Sequence, residues 1–358
     1  ATSGLIERFI GFTSLDLYGQ YAYRLDGGGG RGPDSVIPYD DSRGEPVQDY
    51  GRAAFAAKVR YSKTELKLGE HRPTLPVAYY DDTRQLVTTF NGVSIESKDI
   101  DKWTLTAGRF NQISSRESSD REKMYLFNGP DIKRRSDGLN FAGATYALTP
   151  QLSATYFYGQ LEDIYQQQYF GLSHDLDLGG GYALKSDLRY FDNREDGKAL
   201  YGNIDNRSYG LMTALKKGGH TFGVAYQRML GDSGFPTING YAPQPYLVNW
   251  SVVSYVKPNE SSWSVSYDYN FAAMGVPGLK FKTRYFRGTG IDRGNNALDQ
   301  NVESERWLAL GYVVQAGTFK NLGLEWRRYD VKTRYGNGSA AGPDYTETRL
   351  ITTYVFKF

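Results

Sequence analysis

The chain of 358 residues has no cysteine and only three histidines. Without cysteine it has no disulfide framework, no thiol chemistry and no cysteine-based metal site. His174 shares a strand face with leucines, His220 lies in a glycine-rich turn, and His71 has no His-x-x-x-His partner, so no zinc enzyme of that kind is indicated. We therefore expect no enzyme, no cofactor and no metal. A Ser/His pair assembled in space and a calcium ion in the acidic loop 40–45 stay as alternatives.

Long apolar runs and a strong net charge are missing as well. The mean hydropathy is −0.55 and 23% of the residues are charged, so no stretch approaches the roughly 18 apolar residues of a membrane helix. The formal net charge of +2 gives no support to a nucleic-acid-binding surface covering the whole protein. Residues 1–3 lack the basic and apolar regions of a signal peptide, and we expect that any such peptide has been removed.

Aromatic residues and glycine are abundant instead, at 15% of the chain and 41 residues respectively. The dominant hydrophobic period is two, which indicates β-strands. In 279–285, for example, apolar residues alternate with Lys280, Lys282 and Arg284. Transmembrane β-barrels expose only alternate residues to lipid and place aromatic residues at both interfaces, so this composition is typical of them. Seventeen segments show a similar pattern: 13–25, 52–61, 66–71, 86–96, 103–110, 138–148, 152–161, 165–178, 182–192, 207–217, 221–230, 247–256, 263–273, 279–285, 306–315, 322–331 and 349–358.

Short, turn-rich links such as 149–151 and 179–181 alternate with long loops such as 111–137. Periplasmic turns and extracellular loops of an outer-membrane barrel alternate in this way. Because such barrels usually have an even strand number, we predict one more strand, hidden among the prolines of 231–256. The predicted fold is thus a single all-β domain over 1–358, an 18-stranded antiparallel barrel that closes on Phe358.

Several motifs resemble the OprD family of substrate-selective porins. They are the run SKTELKLGE at 62–70, GDSGFP at 231–236 and, most specifically, YDYNFAAMGVPGL at 267–279. The resemblance covers nearly the whole chain. It implies an 18-stranded barrel narrowed by inward-folded loops and lined by a ladder of basic side chains that passes small, typically carboxylate-bearing nutrients. Ser266, Asn270 and Glu325 depart from the family pattern.

Strand parity places eight basic side chains in the lumen as the predicted ladder. They are Arg24, Lys58, Arg60, Lys280, Lys282, Arg284, Arg327 and Arg349. A water-filled lumen focuses the field of such charges, and guanidinium groups bind carboxylates bidentately. The alternative is a charge-balanced polar interior in which these side chains do not act as a substrate ladder. For the loop 111–137 the family resemblance favours an inward-folded constriction, and a solvated extracellular loop is the alternative. The predicted constriction consists of Arg116, Asp120, Arg121 and Asp268, and for Asp268 a structural salt bridge to a ladder arginine is the alternative.

The sequence thus predicts an outer-membrane porin for passive, selective diffusion of small organic acids, aromatic ones included. The alternatives are a basic amino-acid channel of the same family, a general diffusion porin, and a non-conducting structural or adhesion barrel. Expected partners are organic-acid substrates, outer-membrane lipid and lipopolysaccharide, with no nucleic acid. We expect a functional monomer, or a loose trimer.

Overall fold

A computed structural model describes residues 12–25, 37–40, 42–127, 134–239, 244–292, 301–334 and 344–354. It is almost entirely β, and its strands pair antiparallel. The strands are β1 (Phe12–Tyr23), β2 (Tyr39–Asp40), β3 (Glu45–Pro46), β4 (Asp49–Tyr61), β5 (Thr64–His71), β6 (Thr74–Leu75), β7 (Ala78–Tyr79), β8 (Thr89–Ser97), β9 (Trp103–Ser114), β10 (Leu139–Ala147), β11 (Leu152–Leu161), β12 (Tyr165–Gly179), β13 (Tyr182–Glu195), β14 (Asp205–Lys217), β15 (His220–Leu230), β16 (Ser261–Asn270), β17 (Leu279–Thr289), β18 (Val302–Val313), β19 (Leu322–Arg334) and β20 (Tyr345–Tyr354).

Sixteen of these strands form one continuous sheet in chain order, and β2–β3 and β6–β7 form two short hairpins. A 3₁₀ helix covers Phe271–Met274 between β16 and β17. The described part of the chain contains no helix with the length and hydrophobicity needed to cross a bilayer. The architecture is that of a transmembrane antiparallel β-barrel, as the period of two predicts.

The alternating residues of each strand lie on two chemically different faces. On the outer face, Leu17 is 77% and Leu350 is 82% exposed. On the inner face, Phe110 and Phe191 are 1% exposed. Exposed apolar side chains of this kind face lipid in a membrane barrel, so the inner face is the lumen wall.

The strand count differs from the prediction. Sixteen of the seventeen predicted segments coincide with strands of the sheet, but 247–256 does not. The prediction of a further strand within 231–256 is also wrong. The described residues of this segment form turns and bends, with one isolated bridge at Ile238. The sheet therefore has sixteen strands within the described residues rather than eighteen. Phe358, the predicted end of the barrel, lies outside the described residues.

The two ends of the sheet differ in their connections. Short turns join the strands at one end, where Gly179, Gly180 and Gly181 all have positive φ angles, of 76°, 60° and 79°. Glycine adopts these angles without the steric cost that a side chain would bring. Long loops leave the opposite end. By the rule for outer-membrane barrels the short-turn end is periplasmic and the long-loop end is extracellular.

The described parts of three long loops fold into the lumen, and we call them the first insert (72–88), the second insert (115–127 and 134–138) and the third insert (231–239 and 244–260). Val77, Met124 and Phe235, one from each insert, are buried in a hydrophobic cluster with inner-face aromatic residues. Glycine on the wall permits the close approach. A Cβ atom added to Gly159 would lie 2.7 Å from Cβ of Val77.

The inserts also hydrogen-bond to one another. The amide of Gln244 in the third insert donates to the carbonyl of Pro76 in the first at 2.7 Å. The backbone N–H of Phe127 in the second insert donates to the carbonyl of Thr237 in the third at 2.8 Å. The three inserts therefore form one connected structure inside the barrel.

Candidate functional site

A cavity of about 830 Å³ lies between the three inserts and strands β19 and β20, and we call it the upper cavity. It combines positive charge with aromatic surface. The basic side chains in its lining are Arg84, Arg116, Lys257, Arg327 and Arg349. Its aromatic side chains are Phe127, Tyr201, Phe235, Trp250 and Tyr329.

Most of these basic groups have carboxylate partners. Arg116 pairs with Asp81 at 2.8 Å, and both side chains are buried. Arg349 donates to Glu347 at 3.0 Å, and Arg327 pairs with Glu325. Lys257 lies 2.7 Å from both carboxylate oxygens of Glu303.

Arg84 differs from the other four. Its Nη1 donates to the backbone oxygen of Thr83 at 2.9 Å, and its Nε is buried without a hydrogen-bond partner. No carboxylate pairs with it within the described residues. Burial lowers the pKa of the Arg84 guanidinium, and the nearby charges of Arg116 and Arg349 lower it further, although an arginine so placed stays protonated. Arg84 is thus a cation whose field is not cancelled by a bonded anion.

A second cavity, of about 480 Å³, lies nearer the short-turn end between β4, β5, β8, β9 and β10, and we call it the lower cavity. Phe110, Phe141 and Leu75 form its apolar wall. Its charged lining is mixed, because Arg60 pairs with Glu65 and Lys98 with Glu96, each at 2.7 Å. The basic residues that line it are Arg60, Lys63, Lys67, Arg72 and Lys98.

The third insert is fastened to the wall by buried acidic side chains. Glu303 and Glu305 of β18 and Glu260 of the insert are all at most 1% exposed. Glu305 accepts a hydrogen bond from the hydroxyl of Ser251 at 2.6 Å. Burial raises the pKa of the Glu260 carboxyl well above its usual value, and the neighbouring Glu303 contributes to the shift. Lys257 is the cation that balances these carboxylates.

The predicted ladder residues lie at different places along the wall. Arg327 and Arg349 line the upper cavity, and Arg60 lines the lower one. Lys58 lies 2.6 Å from Asp16 on the neighbouring strand β1. Arg24 is bonded to Pro46 and Gln48 near the long-loop end.

Lys280, Lys282 and Arg284 lie on β17 and belong to the lining of neither cavity. Arg284 forms a salt bridge with Asp268 at 2.8 Å. Asp268 is therefore a wall residue near the short turns, and of its two predicted roles the structure shows the salt bridge. The basic groups do not form one uninterrupted row of free cations, because acids on neighbouring strands neutralise several of them.

The remaining predicted constriction residues also lie at different places in the structure. Arg116 lies in the second insert and lines the upper cavity. Arg121 binds the buried Glu70 at 3.1 Å, which fastens the insert to β5. Asp120 is exposed and lines neither cavity.

Sequence reasoning missed Arg84 and Lys257 as site residues, together with Lys67 and Arg72. Lys67 could have been found, since it alternates with Leu66 and Leu68 in the period of β5. Arg84 and Lys257 lie in inserts, where no period marks the direction of a side chain. Among the described residues, no group of three or more His, Asp or Glu side chains is arranged to hold a metal ion.

Comparison with known proteins gives a consistent result. The family model described as outer membrane porin, OprD family, matches residues 1–358. The porin-like protein GalP of Pseudomonas putida is 37% identical over 353 residues, which cover 98% of this chain and 82% of that protein.

Two solved structures from Pseudomonas aeruginosa resemble the chain in fold as well. OpdK, crystallised with vanillate, superposes with a TM-score of 0.86 at 33% identity, covering 96% of this chain and 87% of that one. OccK2 (OpdF), in complex with glucuronate, gives 0.84 at 34% identity, covering 96% and 86%.

Proposed function

This chain belongs to the OprD family of outer-membrane porins, and we propose that it admits small carboxylate-bearing nutrients, aromatic acids among them, by passive diffusion. The proposal rests on the upper cavity, where Arg84 lies among aromatic side chains and pairs with no carboxylate of the described residues. A guanidinium group binds a carboxylate through two parallel hydrogen bonds. An aromatic ring attached to that carboxylate would contact side chains such as Trp250 and Phe127.

The neighbouring structures support the carboxylate class. OpdK was crystallised with vanillate and OccK2 with glucuronate, and both ligands carry a carboxylate. A basic amino acid fits the upper cavity less well. Its ammonium and side-chain cation would meet Arg84, Arg327 and Arg349, while the nearby Asp81 is already bonded to Arg116.

A planar-bilayer recording tests this proposal. We expect one conductance step per inserted monomer, a reversal potential that shows anion preference in a KCl gradient, and concentration-dependent block by benzoate. Benzyl alcohol, which has the ring without the carboxylate, and arginine should block weakly.

The other outcomes identify the other functions. Stronger block by arginine than by benzoate would indicate a basic amino-acid channel. Conductance that no solute changes would indicate a general porin, and the absence of conductance would leave the structural or adhesion barrel. Steps in groups of three would indicate that the protein inserts as a trimer.

A further inference from the structure

A cluster of basic side chains occupies the outer face of β17, β18 and β19 at the long-loop end, and we call it the rim patch. It consists of Arg287, Arg306, Arg328, Lys332 and Arg334. By strand parity these residues share the face of the exposed Leu310, Leu324 and Trp326. The rim patch therefore points away from the lumen and plays no part in the proposed substrate path.

The depth of the rim patch is set by the aromatic residues beside it. Arg287 follows Tyr285 by two residues, and Arg328 follows Trp326 by two. Arg306 lies directly opposite Tyr285 in the strand register. Since a strand rises about 3.3 Å per residue, the cations begin within roughly 7 Å of the aromatic residues. Aromatic girdles lie at the membrane interface, so the rim patch lies at the level of the lipid headgroups.

The charges of the rim patch are only partly neutralised. Asp330 bonds Arg306 at 2.8 Å and Arg328 at 3.2 Å, and Asp344 lies 2.8 Å from Arg334. Two acids thus face five basic residues. Arg287 and Lys332 have no hydrogen-bonded or ion-paired partner in the part of the chain that the structure describes.

A surface groove gives these cations the shape of a binding site. It has a volume of about 790 Å³, and Arg287, Arg306 and Lys332 lie along it beside Tyr285 and Thr346. The two acids of the patch, Asp330 and Asp344, line it as well, so three basic residues share the groove with two carboxylates. Arginine binds phosphate bidentately, and lysine binds it as a compact point charge. The groove is therefore suited to a phosphorylated headgroup whose acyl chains lie over the apolar band below.

We propose that the rim patch binds the phosphate groups of lipopolysaccharide in the outer leaflet. The long-loop end is the extracellular end of the barrel, and the outer leaflet there is the source of phosphorylated glycolipid. Excess positive charge at headgroup depth complements those phosphates, with Arg287 and Lys332 as the groups free to bind them. The proposal concerns the outer face and does not depend on which solute crosses the lumen.

Titration of the purified protein in detergent with lipopolysaccharide tests the proposal. The double variant Arg287→Gln/Lys332→Gln removes two cations without breaking an ion pair. We expect its affinity to be about thirtyfold lower than that of the unaltered protein. Each basic residue near an anionic surface raises the binding constant about fivefold, and the variant lacks two of them. The control variant Lys217→Gln/Lys320→Gln removes two exposed lysines at the short-turn end and should bind normally.

Two further ligands sharpen the test. Lipopolysaccharide without its lipid phosphates should bind weakly and equally to all three proteins, and phosphatidylglycerol should bind the unaltered protein more weakly than lipopolysaccharide does. Equal affinities of the two double variants for lipopolysaccharide would overturn the proposal. It would also be overturned if the unaltered protein bound phosphatidylglycerol as tightly as lipopolysaccharide. Unchanged single-channel conductance of both variants would establish that each is folded.

Discussion

Replacing Arg84 with glutamine should weaken benzoate block of the channel by about tenfold to a hundredfold. A hydrogen bond to a charged group contributes roughly 1.5–3 kcal/mol, which corresponds to that range. Arg84 should show this effect in full because no carboxylate pairs with it in the described structure. The measurement is the concentration of benzoate that halves the open-channel current, taken from single-channel records at neutral pH.

The matched control for this substitution is Arg43→Gln. Arg43 is an exposed loop arginine that lines neither cavity, and its partner is Asp40 at 3.3 Å. We expect its benzoate block to equal that of the unaltered protein. If Arg84→Gln and Arg43→Gln gave the same block, Arg84 would not be the carboxylate anchor. Arg84→Lys should retain part of the affinity because it keeps the charge and loses the bidentate geometry.

Replacing Lys257 with methionine should release the third insert from the wall at neutral pH. The substitution leaves Glu260, Glu303 and Glu305 buried without their cation. Breaking a buried ion pair costs about 3–5 kcal/mol, so the ratio of docked to undocked insert should fall at least about a hundredfold. Because the insert occupies the lumen, we expect a larger and noisier open-channel conductance in planar-bilayer recordings.

Acid should restore docking of the third insert in the Lys257→Met channel. The pKa of Glu260 is raised in the folded protein, so the docked insert holds a proton that the undocked insert releases above the ordinary value of 4.5. Docking is therefore strongest at low pH and is lost as the pH rises through the raised pKa. Lys198→Met, which removes an exposed lysine that pairs with Asp163 and lines neither cavity, should not alter the conductance. A Lys257→Met channel with normal conductance at every pH would contradict the proposed role of this cluster.

The sheet could be predicted from the sequence because its signal is local. Each strand alternates between lipid and lumen, so parity alone predicts Lys58 and Lys282 on the inner face. The register sets them opposite Ser14 and Asp268 of the neighbouring strands. The register between strands depends on two segments of the chain, so the pattern of one strand does not reveal it. The ion pairs Lys58–Asp16 and Arg284–Asp268 join different strands and neutralise these two cations.

The inserts show why the candidate site was harder to predict. Residues 247–256 alternate like a strand, but they pack as irregular loop in the barrel interior, where Leu247 and Tyr255 are buried. Burial against an uneven surface selects apolar residues without requiring extended backbone. Arg84 and Lys257 belong to such segments, so only the three-dimensional packing of the inserts brings them to the upper cavity with Arg327 and Arg349 from β19 and β20.

A crystal structure of the protein soaked with 4-bromobenzoate tests the proposed carboxylate site, because the bromine locates the ring by anomalous scattering. We expect the ligand in the upper cavity, with both carboxylate oxygens about 2.7–2.9 Å from the Arg84 guanidinium and the ring against the aromatic wall. A ligand bound instead in the lower cavity, or beside Arg284 on the wall, with the upper cavity holding only solvent, would contradict it.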